Sequence, residues 1–166
     1  MTEADFAAIF GEHKDSVYRF AWRMTGSASA AEDVAQDCFV ALLRSPERYD
    51  AGRAPMRAFL IGMARNIILH RWRAESRLDP LDDDAFLAEP LDPGRWEAAE
   101  LVAQAVQALP LLQREALILA EYEEMTIAEV ARAVDAEVTA VKARLHRARE
   151  NLRRMLAPLR KSTCNL

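Results

Sequence analysis

Five side chains at spacings of three and four, Thr139, Lys142, Ala143, His146 and Arg147, fall on one side of a helix in this 166-residue chain. At about 100° per residue, Val138, Val141, Leu145, Ala148, Leu152 and Met155 fall on the other side. A helix docked through one stripe, with a basic and polar stripe left bare, can enter a DNA major groove. The chemistry on offer is recognition, with lysine and arginine meeting phosphate and an arginine–guanine pair worth roughly 1–3 kcal/mol of discrimination. Arg144 and Arg149 lie nearer the flanks of that face and suit phosphate contact. The helix before it, residues 126–134, turns Ile127, Val130, Ala131 and Val134 inward. Thr126 caps it, with Glu129 three residues on to close a capping box. Residues 135–137 make the turn between the two, where Asp135 tolerates the required geometry.

The charge is local. The chain carries 22 Lys+Arg against 26 Asp+Glu, a net of −4, which argues against a general nucleic-acid coat. Residues 138–161 nevertheless hold eight basic side chains (Lys142, Arg144, Arg147, Arg149, Arg153, Arg154, Arg160, Lys161) against Glu150 alone. Residues 53–77 hold six arginines against Glu75. Between these patches, residues 78–94 carry six acidic groups and no basic one. Two basic modules on an acidic tether are expected, although any single charge run is most simply a solvated face.

Length allows one domain or two small ones, and the tether favours two. Domains of that size bury only about 60% of their unfolded surface, for which compact helical bundles are the natural solution. Glycine is scarce and no sustained two-residue alternation of β-branched residues occurs, so no sheet is expected. Cys38 and Cys164 are too few for a disulfide framework, and Cys38 sits on an apolar helical face as a buried thiol would. The acidic N-terminus MTEADFAAIF lacks the pattern of a signal peptide, and no run approaches the ~18 apolar residues of a membrane span. A cytoplasmic protein is expected. His13, His70, His146 and the two cysteines show no metal-ligand spacing. His146 reads as an exposed helical histidine with no partner nearby in sequence.

A first helix over residues 6–24 would bury Phe6, Ile9, Phe10, Val17, Phe20, Ala21 and Met24. Ser29 would cap a second, residues 30–43, with Val34, Cys38, Val40 or Ala41, and Leu42 inward. Its outer ridge would be acidic, made of Glu32, Asp33, Gln36 and Asp37. Residues 45–55, SPERYDAGRAP, must form a loop. A third helix, residues 56–73, would bury Phe59, Leu60, Met63, Ile67 and Trp72, leaving Arg57, Arg65, Asn66, His70, Arg71 and Arg73 as its polar positions. Beyond an extended, proline- and aspartate-rich connector, helices follow over 96–108 and, after Pro110, over 111–122.

Three runs in this order resemble the bacterial extracytoplasmic-function (ECF) sigma factors of RNA polymerase, in their minimal two-domain form, over essentially the whole chain. AAEDVAQDCFVALLR (30–44) is similar to the family's acidic helix, which docks on the clamp helices of the polymerase β′ subunit. FLIGMARNIILHRWR (59–73) resembles the helix that melts and reads the minus-ten element. Residues 108–152 match the minus-thirty-five-binding domain almost position by position, VKARLHRARENL being the most specific part. This chain departs from the family pattern at Ala30, His70, Asp135 and Thr139–Ala140. Ala140 lacks a hydroxyl that could bind phosphate at a helix start.

The resemblance implies an all-α protein of two small helical domains joined by an acidic flexible linker, the second a helix–turn–helix. Residues 1–77 would bind core polymerase and the minus-ten element, 78–95 would be the linker, 96–158 would bind the minus-thirty-five element, and 159–166 would be a tail. Core-polymerase contacts fall on Glu32, Asp33, Gln36 and Asp37. Minus-ten contacts fall on Tyr49, Asp50, Arg53, Arg65, Asn66, Arg71 and Trp72, with Tyr49 and Asp50 as pocket residues for an extracted base. For Tyr49 and Trp72 core packing is the alternative. Minus-thirty-five contacts fall on Thr139, Lys142, Ala143, Arg144, His146, Arg147 and Arg149. The linker would thread toward the RNA exit path, its carboxylates standing in for nucleic acid. Expected partners are core RNA polymerase, promoter DNA and an anti-sigma factor, with no cofactor and no membrane insertion. Two other classes were weighed: a sigma mimic that titrates an anti-sigma factor without binding DNA, which predicts eroded basic patches, and an enzyme, for which no phosphate loop, nucleophile–base pair or metal cluster is present.

Overall fold

Thr2 and Asp5 start the first helix: the Asp5 amide donates to Thr2 Oγ1 (3.1 Å) and the Thr2 amide to Asp5 Oδ2 (2.9 Å), a full capping box. The Thr2 backbone amide foremost, and the Thr2 side chain after it, hold the Asp5 carboxyl below its ordinary value. The computed structural model describes residues 1–75 and 86–159; the acidic run at 79–84, Arg77, Arg160, Lys161 and Cys164 lie outside the described residues. The chain divides into two compact units, Met1–Leu78 and Asp79–Leu166, and the described residues are helical with no strand.

The first unit has three helices, α1 (Glu3–Thr25), α2 (Ala28–Arg44) and α3 (Met56–Ala74), each packed on the other two. Gly26 closes α1 in the left-handed region (φ 69°), its amide returning to the Trp22 carbonyl. Ser27, not Ser29, caps α2, accepting from the Ala30 amide at 3.2 Å. The core is Val17, Phe20, Ala21, Met24, Val34, Cys38, Phe39, Leu42, Leu60, Ile61, Ala64, Ile68, Leu69 and Trp72. Two expectations change here. Phe59, Met63 and Ile67 are half-buried while Ile61, Ala64, Ile68 and Leu69 go inside. Apolar residues nearly encircle α3, so its spacing does not choose a face. Phe6 is half-buried, and Phe10 and Val40 are exposed, because the start of α1 and the outer flank of α2 edge an open groove rather than the core; Ile9, also half-buried, borders a second hollow with Tyr49 and Met56.

The second unit comprises α4 (Ala98–Ala108), α5 (Leu111–Leu117), α6 (Ile127–Ala133) and α7 (Val138–Met155). The expected helix over 111–122 changes character: Ile118–Tyr122 is a π turn, in which the Glu123 amide reaches back five residues to the Ile118 carbonyl (3.0 Å). Arg114 ties this region to the end of α4, donating to the carbonyls of Gln107 (2.7 Å) and Leu109 (2.9 Å). Thr126 caps α6, accepting from the Glu129 amide (3.2 Å) and donating its hydroxyl to Glu129 Oε1 (2.9 Å). Val141, Leu145, Ala148 and Met155 of α7 are buried. Val138, expected inward, is 40% exposed, because the first residue of α7 precedes the docked stripe. Ile127 and Leu152 are half-buried.

The α6–α7 turn is a Schellman closure: the Ala136 amide donates to the Ala131 carbonyl (2.9 Å) and the Asp135 amide to Arg132 (3.4 Å). Asp135 takes the position that favours glycine, with φ 52°. Asp135→Gly should therefore stabilise the second unit by about 0.5–1 kcal/mol, raising its melting temperature by a few degrees in calorimetry. A lowered midpoint would show that the aspartate side chain stabilises the turn by more than its backbone strain costs.

Candidate nucleic-acid interface

On α7, packing of the buried stripe leaves Thr139, Lys142 and His146 exposed and Ala143, Arg144 and Arg147 half-buried beside them. These six residues share one surface of the second unit, starting at the first turn of α7. His146 does have a partner, contrary to the sequence reading: Glu150, one turn on, places Oε1 3.4 Å from His146 Nε2. Arg149 is engaged by Glu121 of the π turn, its Nε donating to Oε1 at 3.2 Å and its Nη2 to the same oxygen. A phosphate reaching Arg149 meets a carboxylate already there.

In the first unit, Glu32, Asp33, Gln36 and Asp37 all stand exposed on one ridge of α2. Asp37 accepts from Arg71 Nη2 of α3, which joins two residues that sequence reasoning assigned to different surfaces. Glu32 and Gln36 also border an open groove of about 650 Å³ between α1 and α2. Phe6, Phe10 and Phe39 form its aromatic wall, with centroids 6.3 Å apart for Phe6–Phe10 and 5.0 Å for Phe10–Phe39. Sequence reasoning placed Phe6 and Phe10 in the core and missed the groove. The only signal available was a surplus of aromatic residues over what a three-helix core needs.

The loop between α2 and α3 is more ordered than its prolines suggest. A single 3₁₀ turn, Pro46–Arg48, leads to Tyr49, whose ring rests on Phe59 (5.3 Å between centroids) and is half-buried. Asp50 folds the loop back on itself: its Oδ1 accepts from the Gly52 amide (2.8 Å) and its carbonyl from the Arg53 amide (3.0 Å). Arg53 is exposed. Along α3, Asn66 is exposed, Arg65 is half-buried with Nη1 3.5 Å from Asn66 Oδ1, and Arg57 Nε donates to Ser16 Oγ at 3.2 Å. Trp72 is 9% exposed and belongs to the core, the packing alternative that the sequence left open. Its ring is not presented for stacking on a base. Tyr49, Asp50, Arg53, Arg65 and Asn66 thus lie on the loop and on α3 outside the core, without Trp72 among them.

Cys38 lies in that core, its Sγ 3.5 Å from the Leu60 carbonyl, and burial pushes its thiol up to about 12. Among the described residues no group of three or more His, Cys, Asp or Glu side chains is placed to hold a metal ion, and no helix is long and apolar enough to cross a membrane.

Comparison with known proteins agrees with the two-unit division. Residues 9–78 match the Sigma-70 region 2 family and residues 99–152 the Sigma-70 region 4 family. The chain is 31% identical over 157 residues to the ECF RNA polymerase sigma factor SigL of Mycobacterium tuberculosis, covering 92% of this chain and 89% of the relative. It is 30% identical over 155 residues to the ECF sigma factor SigE of Mycolicibacterium smegmatis, covering 88% of this chain but only 59% of that longer protein. The fold is that of the sigma factor RpoE of Bartonella quintana, solved in complex with the anti-sigma factor NepR (TM-score 0.74, 23% identity, 92% of this chain and 97% of that one). With a helix–turn–helix in one unit, an acidic ridge and an arginine-bearing helix in the other, and a relative of 31% identity matched over 89% of its length, this chain belongs to the ECF RNA polymerase sigma factors, which are transcription initiation factors rather than enzymes.

Proposed function

We propose that this sigma factor docks on the polymerase β′ clamp helices through Glu32, Asp33, Gln36 and Asp37, opens the minus-ten element with its first unit, and reads the minus-thirty-five element with α7. The observation that carries the reading is the α7 surface: Thr139, Lys142 and His146 stand clear of a helix whose opposite stripe is docked. An α-helix so presented fits the width of a major groove. Strand opening falls to the loop carrying Tyr49 and Asp50 and to Arg53, Arg65 and Asn66 behind it. Extracting a base costs a few kcal/mol, which a shaped polar pocket must offset. The chain works where core polymerase is, in the cytoplasm, under control of an anti-sigma factor, the class of partner bound to RpoE.

Run-off transcription with purified core polymerase on fragments of the source genome tests this. New, specific transcripts that depend on the protein are expected. No transcripts, together with tight binding to an anti-sigma protein, would instead establish the sigma mimic. A second result follows from the Arg149–Glu121 pair. An exposed ion pair is worth only ~0.2–1 kcal/mol, so Glu121→Gln should tighten duplex binding about two- to fivefold by releasing Arg149. The slope of log affinity against log salt should steepen by about one. Weaker binding would mean that Glu121 aims Arg149 rather than occupying it.

A further inference from the structure

The segment preceding α4 is bound to the second unit by a buried polar anchor. Asn151 on α7 is 5% exposed and Gln113 on α5 is fully buried, and Asn151 Nδ2 donates to Gln113 Oε1 at 2.8 Å. That bond fixes the amide so that Asn151 Oδ1 faces outward along the connector, where it accepts from the Ala88 amide at 3.2 Å. Three residues on, the Leu91 amide donates to the Met155 carbonyl (3.0 Å), one of the carbonyls that the end of α7 leaves without a helical partner. Phe86, Ala88 and Leu91 are half-buried while Leu87, Glu89 and Pro90 are exposed, so the segment lies on the unit by one edge. A buried amide is expensive to leave unsatisfied. Gln113 satisfies one side of Asn151 and the connector satisfies the other.

We propose that Asn151 is a specificity-determining residue for the spacing between the two promoter elements, because it fixes the point at which the connector leaves the second unit. With the anchor in place the first hydrogen-bonded hold among the described residues of the connector is at Ala88; without it the next is at Leu91. Freeing residues 88–90 adds about 10 Å of reach at ~3.3–3.6 Å each. That is about the rise of three base pairs, since a turn of ~34–36 Å holds 10–10.5 pairs. A longer reach lets the two units engage elements set further apart, or out of phase on the duplex. The inference rests on the proposed reading of both elements by one chain.

Two variants isolate the anchor. Ala88→Pro removes the donor and leaves both buried amides in place. The double change Asn151→Leu/Gln113→Leu replaces the amide pair with apolar groups of similar size and takes the acceptor away from the Ala88 amide. Full-length protein with core polymerase is assayed on one promoter whose spacer is shortened and lengthened by one to three pairs, alongside hydrogen exchange at Ala88. Exchange at Ala88 should speed in the double variant, and in both variants the penalty for a non-optimal spacer should relax about two- to tenfold, as the loss of one hydrogen bond allows. Fast exchange with an unchanged spacer profile would reduce the anchor to a purely structural role and overturn the proposal. Unchanged exchange at Ala88 in the double variant would overturn it as well, because the bond would then not be what holds the segment. A wild-type protein that transcribes at no spacing would overturn the promoter reading itself, and this inference with it; that result is distinct from a profile that merely fails to broaden.

Discussion

Phe20→Ala should unfold the first unit under conditions in which the second remains folded. Phe20 is fully buried, where α1 meets α2 and α3, and truncating such a ring costs about 3–5 kcal/mol. A unit of 78 residues has roughly 4–12 kcal/mol in total at ~0.05–0.15 kcal/mol per residue. The substitution therefore removes about a quarter of the stability at least and all of it at worst. Trp72 sits in the same core and reports on it; replacing Trp96 of the second unit and the exposed Trp22 of α1 with Phe removes the competing signals. In urea the Trp72 transition should move to a much lower midpoint, at an m-value typical of a small domain. A shift equivalent to less than 1 kcal/mol would mean that the neighbouring side chains collapse into the cavity.

The second large effect is expected at Lys142. Its side chain is exposed on the second turn of α7 and takes no part in the core, so Lys142→Ala should leave the circular dichroism and the melting temperature unchanged. Binding to the cognate minus-thirty-five duplex should weaken by about 1–3 kcal/mol if the ammonium meets a base edge, roughly five- to hundredfold. Binding to an unrelated duplex separates the two roles. A loss confined to the cognate site marks a base contact; a loss common to both, with the salt slope reduced by about one, marks a phosphate contact. Unchanged affinity for both would remove Lys142 from the interface and with it the proposed orientation of α7.

Which parts could be read from sequence depended on how one-sided each helix is. The stripe Val141–Leu145–Ala148–Met155 was legible because α7 alternates apolar and charged residues at helical spacing, and the structure buries those four. α3 was legible as a helix but not in orientation, since its apolar residues leave no preferred face. Asn151 and Gln113 were read past altogether. An amide in a charged stretch looks like surface until tertiary structure pairs it, and theirs is a partnership across 38 residues. The ion pairs Asp37–Arg71 and Arg149–Glu121 are likewise long-range and carry no local signature. His146–Glu150 differs, because its four-residue spacing is visible in the sequence. The π turn has no compositional mark; it shows only in the Glu123 and Met125 amides, which reach back to the carbonyls of Ile118 and Leu119.

The buried thiol of Cys38 has a consequence for how signals reach the first unit. With its pKa raised to about 12, the thiolate that oxidants attack amounts to about one molecule in a hundred thousand at neutral pH. Peroxide or a disulfide exchanger has almost nothing to react with there, and no access to it while Phe20, Leu42 and Leu60 close the core around it. Oxidative stress has no chemical inlet at Cys38 while that core stays closed.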